Sequence, residues 1–175
     1  MSKTMDENVT DQETEEIMQD MLVHLTKLPS VAPLLEKLRA DGVIIRRAHP
    51  FETSVVYDFI KTNFSRSWAD EVAPCYARQP ITLFIAIRDR KVIGFAATEA
   101  CMRGFFGPTG VMESERGKDI GKALLLASLW GMRQDGYAYG IIAGVGPADF
   151  YTKACGATLI PGSTPGIYGD MIDRD

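Results

Sequence analysis

Val111-Met112-Glu113-Ser114-Glu115-Arg116-Gly117-Lys118-Asp119-Ile120-Gly121-Lys122-Ala123-Leu124 is the stretch on which the reading of this chain turns. A strand is predicted to end near Met112, a polar turn follows, and an apolar helix runs from about Asp119 to Gln134, stopped by Asp135-Gly136. The first amides of such a helix have no intrahelical acceptors and point out of its N-terminus. Gly117 and Gly121 remove side chains where a phosphate could approach the backbone. Arg116, Lys118 and Lys122 can add positive charge, so the turn reads as an anion cradle. The plainer alternative is a glycine-bearing turn with solvated charges leading into a core helix. The motif is neither a Walker loop, lacking the Gly-Lys-Ser/Thr ending, nor the Gly-x-Gly-x-x-Gly dinucleotide fingerprint.

Working outward, Tyr139–Val145 is a buried-type strand, and Pro147 suits the first position of a helix ending by Gly156. Upstream, Thr82–Arg88 and Val92–Glu99 form a hairpin across Asp89-Arg90-Lys91. A loop over Arg103–Pro108 then leads to a strand from Thr109 to Met112. Val43–Arg47 is the first strand, followed by helices over 51–63 and Trp68–Ala77. Before it, Ile17, Met21, Leu25 and Leu28 at helical spacing predict a helix over Thr14–Leu28, and Ala32–Leu38 a second. Thr158–Ile160 and Ile167–Ile172 are weaker strand candidates. The order β, two helices, three meandering strands, α, β, α, β predicts an α+β fold. Its core is a central mixed, largely antiparallel sheet with helices on both faces, not a doubly wound one. Residues 1–41 read as an acidic start with a helical extension, packing on the body or on a second copy in a homodimer, and 42–175 as the domain.

A chain of 175 residues suits one domain. Its net charge of -4 is uneven: residues 1–20 hold seven acids against Lys3, leaving the remainder slightly basic. A nearly neutral body carries no electrostatic footprint for nucleic acid. Cys75, Cys101 and Cys155 are too few for a disulfide framework, and His24 and His49 belong to no ligand-spaced cluster, so no metal site is expected. No signal peptide or membrane-length apolar run is visible, so a soluble cytoplasmic protein is expected.

The turn Arg116-Gly117-Lys118-Asp119-Ile120-Gly121 resembles the Arg/Gln-x-x-Gly-x-Gly/Ala loop of the GCN5-related N-acetyltransferase superfamily, which holds the pyrophosphate of acetyl-CoA. Phe150-Tyr151-Thr152-Lys153-Ala154-Cys155-Gly156-Ala157 is similar to the Phe-Tyr-x-x-x-Gly-Phe segment of that superfamily, with Ala157 for the aromatic. The resemblance covers about residues 42–160 and implies an acyl-CoA N-acyltransferase-like fold. It also implies an acetyl-CoA-dependent transferase acting directly on a primary amine, either a small molecule or a protein N-terminus or lysine. Carried over, Val111 and Met112 contact the cofactor through their backbone, and Arg116, Gly117, Lys118, Asp119, Ile120, Gly121 and Lys122 surround its diphosphate. The resemblance puts Tyr151 near the sulfur as the acid for the leaving thiolate; of the Phe-Tyr pair Phe150 better suits the core, and Cys155, with no activating base in evidence, reads as core too.

Glu113, which follows the binding strand, is the general-base candidate, with Glu99 and Glu71 behind it. The acceptor site is expected from 64–78, 102–108 and 161–170, with Phe64, Trp68, Tyr76, Phe105, Phe106 and Tyr168 as large apolar surfaces, some of them, Trp68 first, ordinary core. Asp119 departs from the resembled loop, which usually has glycine there. Its carboxylate either repels the diphosphate or turns away to cap the helix. A catalytically weak or inactive acyl-CoA-binding regulatory domain is the alternative.

Overall fold

The structure, a computed structural model, describes residues 19–172. Its strands are β1 (Met21–His24), β2 (Val43–Arg47), β3 (Leu83–Arg88), β4 (Lys91–Thr98), β5 (Phe105–Val111), β6 (Tyr139–Ile142) and β7 (Thr158–Leu159). Its helices are α1 (Ala32–Ala40), α2 (Thr53–Asn63), α3 (Arg66–Val72), α4 (Ile120–Gln134) and α5 (Ala148–Cys155). One sheet takes the order β2-β3-β4-β5-β6-β1-β7. Every pairing is antiparallel except that of β5 with β6. This is the mixed, largely antiparallel α+β sheet that the sequence predicts.

Alternation along the strands feeds a core on each face. Phe84, Ala86 and Ala96 pack under α4 with Leu124, Leu125 and Leu129. Leu83, Ile85, Phe95 and Ala97 face the other way, onto Val56 and Ile60 of α2 and Ala69 and Val72 of α3.

The predicted helix over 14–28 is corrected from residue 19 on; residues 14–18 lie outside the described residues. Met21 and Val23 are buried while Leu22 and His24 are half-buried, a period of two and not of 3.6. β1 fills the gap between β6 and β7, with Met21 opposite both Ile142 and Leu159. Local spacing could not reveal this, because long-range pairing decides it. β1 and Leu38 of α1 belong to the same core as α4, so the expected boundary at 41–42 does not divide the described residues.

Smaller differences follow from the sheet. β5 begins at Phe105, inside the expected loop, because Phe105 and Phe106 pair with Ile141 and Ile142. β6 ends at Ile142, short of Val145, where the two strands part. The stretch 68–77 divides into α3 and a 3-10 turn at Ala73–Ala77, and 167–172 forms no strand, only the turn Gly166–Tyr168. Among the described residues no helix is long and apolar enough to cross a membrane.

Candidate functional site

β5 and β6 are parallel neighbours only at Phe105–Phe106. From Thr109 to Val111, β5 still pairs with Ala96, Phe95 and Gly94 of β4, and its other edge has no strand partner among the described residues. Met112 donates its N–H to the Ile93 carbonyl (2.9 Å), which turns the N–H and C=O of Val111 to the open edge. The Val111 carbonyl accepts from Arg116 Nε (3.2 Å), so its N–H is the group left for a ligand. By the same alternation the N–H of Thr109 faces the opening. The expected backbone role of Met112 is therefore corrected: its donor is taken by Ile93 and its carbonyl by Glu115 N–H (2.9 Å).

Beside this edge lies a cleft of about 410 Å³ lined by Val111, Glu115, Arg116, Gly117, Asp119, Ile120, Gly121, Lys122, Phe150, Lys153 and Ala154. The first turn of α4 forms its floor. Ala123 N–H donates to the Asp119 carbonyl (3.0 Å), so the N–H groups of Ile120, Gly121 and Lys122 have no acceptor within the helix. Gly117 stands at φ +74, a conformation that glycine enters without steric cost. Arg116, Lys122 and Lys153 supply the cations at the rim. Lys118 does not line the cleft; its ammonium is held by the Ser114 carbonyl and Glu115 Oε2 (both 3.1 Å). That bond, more than Arg88, holds the Glu115 carboxyl below the usual range.

Asp119 occupies the N-cap position of α4 at φ +63 and makes no capping hydrogen bond, so the capping alternative is corrected. Its Oδ2 pairs instead with Lys37 Nζ of α1 (3.0 Å), and that bond raises the pKa of Lys37. The backbone conformation explains why glycine suits this position. The ion pair draws the carboxylate toward α1 and leaves the helix amides uncapped.

α5 makes the opposite wall. Phe150, Lys153 and Ala154 share one helical face on the cleft. Phe150 is 37% exposed and Tyr151 only 8%, the reverse of the expectation that Phe150 is core. Lys153 lines the cleft too and was not among the residues expected there; its spacing from Phe150 was the available signal. The Tyr151 ring meets Phe106 edge-on (centroids 6.4 Å apart), where β5 and β6 part. Burial raises the pKa of its phenol, which stays protonated at neutral pH. Cys155 is buried, as expected, and burial pushes its thiol up to about 11.

The carboxylates are not gathered at Tyr151. Glu113 is exposed in a pocket of about 560 Å³ with Asn63, Phe64, Met112, Ser114 and Arg116. Phe106 and Val111 are separated by roughly 16 Å of strand at about 3.3 Å per residue, and Glu113 lies beyond Val111. Glu113 and Tyr151 therefore do not face one carbonyl in this structure. Glu99 accepts from the Tyr137 hydroxyl in a separate polar pocket of about 530 Å³. Glu71 Oε1 accepts from Cys101 Sγ (3.0 Å).

The predicted apolar acceptor surfaces are also dispersed. Phe64 lines the Glu113 pocket and lies on bare Gly110, where a Cβ would come within 2.5 Å of its ring. Trp68 stacks on Phe64 in the core beneath α2 and α3, Phe106 is buried, and Tyr168 covers Gly144.

No protein-family profile matches the sequence, and no curated protein does. Solved structures do. A GCN5-related glucosamine N-acetyltransferase region of a fungal multi-domain GH3 β-N-acetylglucosaminidase superposes with a TM-score of 0.67 at 18% identity, over 81% of this chain and 19% of that one. A GCN5-related N-acetyltransferase from Sphaerobacter thermophilus gives 0.58 at 18% identity, over 91% of this chain and 54% of that one. The chain thus spans about a fifth and about half the length of these two proteins. At such identities the likeness establishes the fold: this chain has that of the GCN5-related N-acetyltransferases.

Proposed function

We propose that the chain is an acetyl-CoA-dependent N-acetyltransferase acting on a primary amine. The carrying observation is a cleft that sets uncapped helix amides and flanking cations beside the unpaired edge of β5, while Tyr151 packs on Phe106 near where that edge opens. Those donors fit a molecule with a diphosphate at one end and an amide-bearing arm that pairs with β5. Acetyl-CoA has that form and, when bound, supplies a thioester carbon that bonds to the amine nitrogen as its C–S bond breaks.

The N–H groups of Ile120, Gly121 and Lys122 bind the anion with Arg116, Lys122 and Lys153 around it. The N–H groups of Thr109 and Val111 orient the arm. Tyr151 holds a proton at its hydroxyl and gives it to the departing sulfur, recovering one from solvent. The proton lost by the nitrogen goes to water, because Glu113 is too far along β5 to take it at the same centre. A small-molecule amine is the favoured acceptor; protein N-termini and lysines are the alternatives.

The separation of Glu113 from Tyr151 favours one second reading, an acyl-CoA-binding domain of the same fold with little or no turnover. A thiol-release screen with acetyl-CoA against diverse amines decides between them. Amine-dependent release is expected, with Tyr151→Phe lowering kcat about a hundredfold and leaving the KM for acetyl-CoA within about threefold. Stoichiometric acetyl-CoA binding with no release on any amine would establish the second reading. An unchanged rate in Tyr151→Phe would remove the phenol from the mechanism.

A further inference from the structure

We propose that Asp20 is a positioning residue for this reaction: it fixes Gly144, and with it the loop joining β6 to the helix that carries Tyr151. Its kinetic consequence rests on the acyl-transfer reading above; the contact itself does not.

Asp20 is only 7% exposed, although in sequence it is one more acid of a charged start. It stands at the entrance to β1, and its groups reach two other segments. Asp20 Oδ1 accepts from Gly144 N–H (2.8 Å). Its own N–H donates to Ser163 Oγ (2.8 Å), and its carbonyl accepts from Ile160 N–H (2.8 Å). Ser163 Oγ in turn donates to the Ile160 carbonyl (2.7 Å), closing a knot between β1 and the chain after β7. Beside it, the Gln19 carbonyl accepts from Val145 N–H (3.0 Å).

Gly144 needs that hold. It stands at φ +49, under the Tyr168 ring, where a Cβ would come within 3.1 Å of Tyr168 Cε2. It also lies past the end of β6, so the β1–β6 ladder does not supply an acceptor for its N–H. Asp20 provides one with a side chain. The loop then passes Gly146 and Pro147 into α5, which has eight residues and no side-chain cap at its start. The approach of so short a helix is set by the chain that feeds it. Tyr151 sits one helical turn in, against Phe106, at the closed end of the β5–β6 opening. Displacing a proton donor by an ångström or so is enough to slow a transfer step severely.

Asp20→Ala and Asp20→Asn in the full chain test this, read by amide hydrogen exchange and by steady-state kinetics on the amine found by the thiol-release screen. Asparagine retains Oδ1 as acceptor; alanine has none. In Asp20→Ala the Gly144 and Val145 amides are expected to exchange at least about tenfold faster, with Ile85 and Phe95 of the central strands unchanged. Its kcat is expected to fall about tenfold or more with the KM for acetyl-CoA within about threefold, and Asp20→Asn to restore both readouts to near wild type. Asp20→Ser, too short to reach Gly144, carries the same expectation should Asp20→Ala not fold.

Unchanged exchange at Gly144 would overturn the proposal, as would an asparagine variant as impaired as alanine, which would point to charge and not to the hydrogen bond. A fall in kcat without faster exchange would also overturn it, since Asp20 would then act on the chemistry directly. Where no amine supports turnover, the acyl-transfer reading falls, and exchange alone decides whether Asp20 holds the loop.

Discussion

Gly121→Ala tests whether the anion site is built from backbone, because the added methyl leaves every N–H of the turn in place. Gly121 is the second residue of α4, and a Cβ built on it has Val111 Cγ2 at 3.7 Å as its only neighbour within 4 Å, an ordinary contact. Nothing in the protein must move. Alanine is favoured over glycine within a helix by roughly 0.5–1 kcal/mol, so the fold gains up to about that amount. For a chain of this size the gain is a melting temperature higher by about 1–4 °C. The same methyl faces the cleft, beside the N–H groups of Ile120, Gly121 and Lys122. The methyl removes no donor, and the resembled loop carries glycine or alanine at this place, so the Kd for CoA should stay within about threefold of wild type. Thermal melts and titration calorimetry with CoA on the same preparation read both effects. A loss of about tenfold or more in CoA affinity, in a variant that melts no lower than wild type, would refute the reasoning, since the methyl would then stand between these amides and the diphosphate.

Three further expectations follow from the same contacts. Asp119→Gly removes a carboxylate from the rim at a backbone φ of +63, so CoA binding should tighten about two- to fivefold at low salt and the gap should close as salt screens it. Weaker binding by calorimetry would mean that Asp119 helps to hold the ligand. Lys153→Glu should weaken CoA about tenfold at low ionic strength, while Lys118→Ala, whose ammonium is tied to Glu115, should leave affinity within about twofold; equal losses would contradict that division of labour. In pH-dependent melts, burial raises the thiols of Cys75 and Cys155 from 9.0 to about 11, so their contribution is complete below pH 9 and disappears as pH rises through 11. Arg46 holds the Glu52 carboxyl down from 4.5 to about 2, a contribution present above pH 4.5 and lost as pH falls through 2. Glu52→Gln should flatten that acid limb, and an unaltered limb would count against the Arg46 pair.

The parts of the fold that were legible in sequence are those fixed by local chemistry. The apolar periodicity of 120–134, the polar turn at 89–91 and the proline before 148–155 each mark an element near its observed ends. The parts that were not legible depend on partners distant in the chain. Met21 and Leu25 lie at helical spacing, but Met21 is opposite Ile142 and Leu159, and no feature within residues 19–28 announces that slot. The same applies to the site. Arg116, Ile120 and Gly121 line the cleft, where the motif and the start of α4 coincide. Met112 was misassigned because only the ladder with β4 shows which amides along β5 are spent. Phe150 is more exposed than Tyr151, the reverse of the expected burial, because one residue is about 100° of helix rotation, and sequence alone does not fix the phase of a short helix against a sheet.

The tolerance of aspartate at position 119 follows from what the anion site is made of. Side-chain charge at the cleft comes from residues on two helices and a turn, but its floor is backbone: the amides of α4 that Asp119 leaves uncapped. A floor of that kind needs the chain to turn through φ +63 and needs no side chain to cover it. Glycine meets both needs by having no side chain. Aspartate meets the first because a short polar side chain enters that region more readily than most, and the second because Lys37 draws its carboxylate to α1. On this reasoning, Lys37→Met should behave as the reverse of Asp119→Gly. It releases the carboxylate without altering the turn, and CoA binding should weaken more in Lys37→Met than in the double variant Lys37→Met/Asp119→Gly. Equal affinities for the two would show that the carboxylate does not reach the bound anion from either position.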